Sequence, residues 1–107
     1  MTGSFGEMGS LLKQAQQMQR DLDKVREELK TRTVEGSSGG GAVRVTITGD
    51  RSVTKVEISP ELLAKPDKAL VEDLLLAALR DGMSKATRMS SEAFSKITGG
   101  IHLPGLF

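Results

Sequence analysis

Apolar residues in the first third of the chain recur at alternating spacings of three and four. They are Met8, Leu11, Ala15, Met18, Leu22, Val25 and Leu29. This spacing keeps them on one face of an α-helix and forms a heptad seam over three repeats. No Gly or Pro occurs between Ser10 and Arg32. We therefore predict a helix over residues 8–30, about 35 Å long, after a flexible N-terminus at residues 1–7.

Short segments of strand character follow this helix. Three candidate strands lie at residues 31–36, 42–48 and 52–59, with turn residues at 49–52. Val43, Val45 and Ile47 alternate with polar residues, which is typical of a half-buried strand. In the third strand, alternation puts Val53 on the face opposite to Val56. The second and third strands pair most simply as a hairpin, which predicts a three-stranded antiparallel sheet.

The last third of the chain predicts a second long helix. Residues 59–67 contain two prolines and allow a single helical turn. Asp67 is a suitable N-cap for a helix over residues 67–97, and the pair Gly99–Gly100 is a natural C-terminal stop. At about 1.5 Å per residue this helix spans about 45 Å.

These elements predict an α+β fold in the order α-β-β-β-α. A chain of 107 residues suits one domain, which we place at residues 8–98, with an irregular tail at 99–107. Both helices are long beside the radius of gyration of about 13 Å expected for a compact chain of this size. Either the helices protrude or a second copy of the chain covers them.

Composition excludes several kinds of site. The chain has no Cys and one His, His102, so disulfides and thiolate metal sites are excluded and no metal site or cofactor is expected. We see no signal peptide, and the longest apolar run, residues 74–79, is far shorter than the ~20 residues that span a bilayer. These features predict a cytoplasmic protein without a membrane partner.

The Gly- and Ser-rich segment 35–41 raises the question of a phosphate-binding loop. Such a loop leads from a strand into a helix, whose backbone N–H groups point at the anion. Here the segment lies between two predicted strands, so we interpret it as a connector. Glu72 and Asp73 favour a helix N-terminus more than an acid–base pair. We predict no catalytic residues, no small-molecule substrate and no enzyme.

Both helices carry stripes that predict helix–helix contacts. The heptad seam packs either on the chain's own sheet and second helix or on a second copy. In the second helix, small residues recur around Gly82, which costs roughly 0.5 to 1 kcal/mol relative to Ala in mid-helix; close approach of another backbone would compensate. The bulkier face, with Leu74 and Met83, suits a sheet. The predicted homodimer interface comprises Leu11, Met18, Leu22 and Val25 of the first helix and Leu75, Ala78, Gly82 and Ala86 of the second.

The net charge of +1 does not by itself indicate nucleic-acid binding. The distribution of charge is more informative, because Lys13, Arg20 and Lys24 lie on the face opposite the seam and the second helix is basic towards its end. Solubility and the helix dipole also favour such placements. The candidate DNA-binding residues are Lys13, Arg20, Lys24, Arg26, Lys30, Arg32, Lys85, Arg88 and Lys96.

Five segments in the same order and spacing resemble the YbaB/EbfC family of bacterial nucleoid-associated proteins. They are LLKQAQQMQRDLDKVREEL at 11–29, VEGSSGGGAVRVTITGD at 34–50, VTKVEISPELL at 53–63, EDLLLAALRDGMSKA at 72–86 and ITGGIHLPGL at 97–106. The resemblance covers roughly residues 8–107, and none of the segments carries a catalytic motif.

This resemblance implies a tweezer-like homodimer that binds double-stranded DNA with limited sequence preference. It also implies a place in the nucleoid and roles in nucleoid organisation and gene regulation. The alternative is a helical adaptor that binds another protein through the first helix or the apolar tail, without direct DNA contact.

Overall fold

The computed structural model describes residues 2–65 and 67–99, with side chains from residue 7 onwards. Its elements are α1 (Thr2–Leu29), β1 (Thr33–Ser38), β2 (Val43–Thr48), β3 (Val53–Ile58), α2 (Pro60–Ala64) and α3 (Lys68–Thr98). A short 3-10 turn, Gly39–Gly41, joins β1 to β2, as expected for a connector. The α+β class and the α-β-β-β-α order are confirmed, with the single turn α2 inserted before α3.

Helix α1 begins at Thr2, six residues before the predicted start. Gly3, Gly6 and Gly9 lower helix propensity, but each retains the backbone N–H that proline lacks. The hydrogen-bond ladder therefore continues through them. At the other end, α1 closes at Leu29, one residue before the predicted end.

The two caps of α3 lie where the sequence predicts them. Asp67 Oδ1 accepts a hydrogen bond from the Leu70 N–H at 3.1 Å, which caps α3. Gly99 ends α3 in the left-handed conformation, with φ of 66°. Beyond Gly99, the predicted tail and His102 lie outside the described residues.

The sheet has the order β1-β2-β3, and both pairings are antiparallel. Val43, Val45 and Ile47 of the central strand are the largest fully buried side chains and confirm the predicted alternation. They form a core with Ala78 and Ala86 of α3. Helix α3 packs across β1 and β2, whereas β3 stays exposed at every residue except the half-buried Ile58.

A register shift in β3 corrects one predicted orientation. Val56 pairs with Val45, but Val53 pairs with Ile47 because the ladder skips Thr54 at this point. A β-bulge of this kind places an extra residue on one strand. Val53 therefore shares the face of Val56 rather than lying opposite to it.

The small-residue stripe of α3 packs on the chain's own sheet. Ala78, Gly82 and Ala86 are buried. A Cβ atom added to Gly36 of β1 would collide with the Ala78 carbonyl oxygen and the Gly82 backbone, and one added to Gly82 would lie 3.3 Å from the Gly36 Cα. The close backbone approach inferred from Gly82 is therefore present, but its partner is β1. This corrects the prediction that these three residues face a second chain, and Leu75 likewise packs at the edge of this core.

The heptad seam of α1 divides into two halves. Leu22 and Leu29 are buried in a cluster with Phe94 of α3, and Val25 packs against that cluster. Residues 7–20 are exposed throughout, including Leu11 at 64% and Met18 at 39% of their surface. We call this exposed segment the arm.

The arm gives the chain an extended shape. The radius of gyration is 20.5 Å and the principal extents are 78 × 20 × 17 Å, against a radius of about 13 Å for a compact chain of this length. The first helix therefore protrudes from the body of its own chain.

Candidate nucleic-acid interface

Three cations form a stripe along α1. At 100° per residue, Lys13, Arg20 and Lys24 fall within an arc of about 40°, and Leu22 of the packed seam lies about 180° from Lys13. All three cations are exposed, and none takes part in a salt bridge within the described residues. We call these three residues the arm stripe; Lys13 and Arg20 lie on the arm, and Lys24 lies four residues beyond it on the outer face of α1. Because the arm stripe faces away from α3 and has no carboxylate partners, it can accept an external polyanion.

Arg26 and Lys30 lie closer to the body and already have acidic neighbours. The Arg26 Nη1 lies 2.7 Å from Asp23 Oδ1, and the Lys30 Nζ lies 2.8 Å from Glu27 Oε1. The hydrogen bond that Lys30 donates to Glu27 is the main cause that raises the pKa of Lys30. Exposed pairs of this kind contribute little to stability because solvent screens them, so either cation can exchange its carboxylate for another anion.

Arg26 and Lys30 also line a cavity of about 230 Å³ between α1, the β2–β3 turn and the end of α3. We call it the turn pocket; its lining residues are Arg26, Leu29, Lys30, Asp50, Arg51, Ser90 and Phe94. The Arg26 guanidinium carbon lies 5.9 Å from the centre of the Phe94 ring. Arg51 was not among the sequence candidates, because a single arginine in a turn belongs to no periodic pattern.

Lys85 has a structural role in this chain. Its Nζ donates to the Glu35 carbonyl oxygen at 3.0 Å and lies 3.1 Å from Asp81 Oδ2. Asp81 in turn accepts a hydrogen bond from the Ser37 N–H at 3.0 Å. That bond, followed by Lys85, lowers the pKa of the Asp81 carboxyl. Lys85 and Asp81 thus join α3 to β1, which weakens the case for Lys85 as a DNA contact.

The remaining candidates do not all share one surface. Arg88 and Lys96 are exposed and lie about 120° and 160° around α3 from Phe94, the residue through which α3 contacts α1. The arm stripe lies on the opposite, outer side of α1. Arg32 is exposed in the link between α1 and β1. Arg26 and Lys30 of the turn pocket lie about 160° and 120° around α1 from Lys24. The arm stripe, the turn pocket and the pair Arg88 and Lys96 therefore lie on different sides of the molecule.

An apolar face remains uncovered beside β3. Val53 and Val56 are 42% and 47% exposed although their strand neighbours Ile47 and Val45 are buried under α3. Leu63 of α2 and Leu76 of α3 are 56% and 47% exposed. Leu76 lies about 160° around α3 from Ala78, which is buried against the sheet, so Leu76 is on the outer side of the helix. We call the exposed pair Val53 and Val56 the β3 face.

Two features of other functional classes are absent from the described residues. No group of three or more His, Cys, Asp or Glu side chains there could hold a metal ion. None of the described helices is both long and apolar enough to cross a bilayer.

Residues 5–101 match the sequence profile of the YbaB/EbfC DNA-binding family. This chain belongs to that family. The match confirms the resemblance read from the sequence, and the family description names DNA binding rather than catalysis, in agreement with the prediction against an enzyme.

Relatives of known sequence and structure support the assignment. A nucleoid-associated protein of Acetivibrio thermocellus is 47% identical over 98% of this chain and 94% of its own length. A second, from Caldanaerobacter subterraneus, is 43% identical over 98% of this chain and 94% of its own length. The crystal structure of an uncharacterised Helicobacter pylori protein matches with a TM-score of 0.72 at 26% identity, and covers 89% of this chain and 97% of that one.

Proposed function

We propose that this protein binds double-stranded DNA as a homodimer with limited sequence preference, and that it acts in the nucleoid in DNA organisation and gene regulation. Membership of a DNA-binding family and the nucleoid-associated names of its relatives support the DNA partner and the location. The observation that carries the proposal is the arm stripe, a row of cations without acidic partners on a projecting helix.

The arm stripe suits contact with the DNA backbone. Lys13 and Arg20 are seven residues apart, or about 10.5 Å along the helix axis, a distance comparable with the ~12 Å width of the major groove. Contacts with phosphates release condensed counterions, so binding weakens as salt rises. Residues 7–20 project clear of the body, which lets the stripe approach a duplex without a clash from the sheet.

Limited sequence preference follows from the side chains available. Asn, which reads adenine in the major groove, is absent from the chain. Gln17 and Gln19 bond to Asp21 and Asp23 at 2.8 and 3.2 Å, so these two would have to break their bonds to read a base, and Gln14 and Gln16 are the glutamines left for direct readout. Preference among sequences would then come mainly from DNA shape and deformability.

The β3 face supports the homodimer. Two copies related by a two-fold axis would cover Val53 and Val56 and project two arms from one body, in the tweezer arrangement. Of the interface residues predicted from sequence, Leu75 lies half-buried at the edge of the core on α3. Leu11 and Met18 remain exposed on the arm and are available to any partner.

The test compares two double variants with equal changes in charge. Lys13→Glu/Lys24→Glu alters the arm stripe, and Lys68→Glu/Arg80→Glu alters exposed residues of α3. Fluorescence anisotropy with a labelled duplex at two salt concentrations measures affinity. We expect the arm variant to bind more than tenfold more weakly and its log–log salt slope to fall by about 1.8 per subunit, for two lost phosphate contacts. Equal affinity of both variants would contradict the proposal.

A protein-binding adaptor remains the second candidate, and one observation favours it. Met8, Leu11 and Leu12 are more than 60% exposed on the arm, which is an apolar surface that a partner helix could cover. This function predicts no binding to duplex even at low salt, and a pull-down of a protein partner that survives nuclease treatment.

A further inference from the structure

The turn pocket contains a cation that the fold itself does not use. Arg26 and Lys30 each have a carboxylate neighbour, and the charge of Asp50 also helps to raise the pKa of Lys30. The Arg51 guanidinium makes no hydrogen bond or ion pair within the described residues. Its charge is therefore available to a group from outside the chain.

The backbone conformation of Arg51 is also unusual. Its φ of 66° is positive, and no other non-glycine residue in the described part of the chain has a positive φ. Gly, Asn or Asp adopts this conformation at lower cost. Hydrogen bonds around Thr48 hold the turn: the Arg51 N–H donates to the Thr48 carbonyl oxygen at 2.9 Å, and the Ser52 N–H donates to Thr48 Oγ1 at 2.9 Å. A strained residue whose side chain stabilises nothing locally points to function.

The composition of the pocket selects for an anion. Three cations and one carboxylate line the pocket. The carboxylate, Asp50, accepts a hydrogen bond from the Thr48 hydroxyl, and Asp23 and Glu27, which pair with Arg26 and Lys30, are not in the lining. Leu29 and Phe94 are buried and give the pocket an apolar floor, which strengthens electrostatic attraction by excluding water. Two guanidinium groups present planar forks that match the oxygens of phosphate.

We propose that the turn pocket is a phosphate-binding site in which Arg51 supplies the free guanidinium and Arg26 and Lys30 complete the cationic wall. If the phosphate belongs to the DNA backbone, this inference rests on the function proposed above and extends the DNA contact from the arm stripe to the body. A free phosphate compound offers the same chemistry, and the experiment separates the two sources.

Arg51→Gly is the decisive variant because it removes the guanidinium and relieves the positive φ. We expect it to fold with an unfolding free energy equal to or above that of the wild type, so loss of binding cannot be attributed to loss of structure. Arg51→Lys keeps the charge without the fork. Arg80→Ala, at an exposed site in α3, is a control with the same loss of charge.

The first measurement is duplex binding as a function of salt. We expect Arg51→Gly to weaken binding about tenfold at low salt and to lower the log–log salt slope by about 0.9 per subunit. Arg51→Lys should keep most of the slope, and Arg80→Ala should match the wild type. If Arg51→Gly binds duplex as the wild type does while Lys13→Glu/Lys24→Glu does not, the pocket is not a DNA contact and the proposed function stands.

The second measurement is titration with pyrophosphate, followed by amide chemical shifts in NMR. Saturable shifts of residues 50–52 in the wild type that vanish in Arg51→Gly support the phosphate site, and identify free phosphate compounds as its source where duplex binding is unaffected. Absence of these shifts together with unchanged duplex binding overturns the inference. If the wild type does not bind duplex at any salt concentration, the proposed function fails and the pyrophosphate result alone decides the pocket.

Discussion

The body and the arm use helical surfaces in opposite ways. In the body, the stripe of α3 that faces β1 is reduced to small residues, so that backbone meets backbone at Gly36 and Gly82. In the arm, large residues such as Leu11 and Leu12 remain exposed and contact nothing on the sheet. Both stripes repeat at helical spacing. The helical repeat therefore reveals a contact surface, whereas side-chain size and chain length decide what covers that surface.

The same contrast separates stability from function. Substitutions in the body should change the free energy of unfolding, because its side chains have no alternative environment. Substitutions in the arm should change binding and leave folding alone, because its side chains are already solvated.

Gly36→Ala should have the largest effect on the body. The new Cβ would collide with backbone atoms of Ala78 and Gly82, which cannot move as the end of a side chain can, so we expect a loss of more than about 3 kcal/mol in the free energy of unfolding. Gly9→Ala in the arm is the control, since nothing lies within 4 Å of its added Cβ. Urea denaturation measures the free energy of unfolding of both variants. If Gly36→Ala lowered it as little as Gly9→Ala, α3 would not approach β1 so closely.

Leu29→Ala and Leu11→Ala compare the two halves of one seam. Leu29 is buried against Phe94, so its truncation should cost about 2–3 kcal/mol. Leu11 is exposed, and the same change there should stay within about 0.5 kcal/mol. Equal losses in thermal or urea unfolding would mean that the arm packs on the body in solution.

Val56→Glu tests whether a second copy covers the β3 face. A buried charge there should weaken the dimer by about 2 kcal/mol and shift the mass measured by light scattering towards that of one 11.4 kDa chain. Thr33→Glu on exposed β1 serves as the control for an added charge on an edge strand. A wild type that is already monomeric at micromolar concentration would rule out the dimer.

Asp81→Asn should have a smaller effect, confined to one pH range. The pKa of Asp81 is lowered in the folded state, so its contribution to stability is present above the ordinary value of 3.8 and is lost as pH falls through the folded-state pKa. The wild type should be more stable than the variant at pH 7, and the difference should vanish at pH values below the folded-state pKa of Asp81. Urea unfolding at several pH values measures it, with Asp73→Asn as the control, and a difference that persists in acid would contradict the contact with Ser37 and Lys85.

Features that depend on neighbouring residues could be predicted from the sequence. The alternation of Val43, Val45 and Ile47 identified the buried face of β2, and Asp67 and Gly99 marked the ends of α3. Each of these signals is contained within a few residues, so no knowledge of the tertiary fold was needed.

Features that depend on residues far apart in the chain could not be predicted from the sequence. Gly82 signalled a close contact, but the stripe does not state whether the partner is β1 or a second chain. The bulge that turns Val53 interrupts an alternation that the sequence shows as regular. The contacts of Lys85 with Glu35 and Asp81 and the pocket around Arg51 join residues far apart in sequence. Only the fold therefore reveals which cations remain available to bind DNA.

One measurement tests the division between body and arm most directly: duplex affinity and unfolding free energy determined on the same preparation of Lys13→Glu/Lys24→Glu. We expect duplex affinity to fall more than tenfold while the free energy of unfolding stays within about 0.5 kcal/mol of the wild type. Duplex affinity equal to that of the wild type, or loss of binding that occurs only together with loss of folding, would contradict that division.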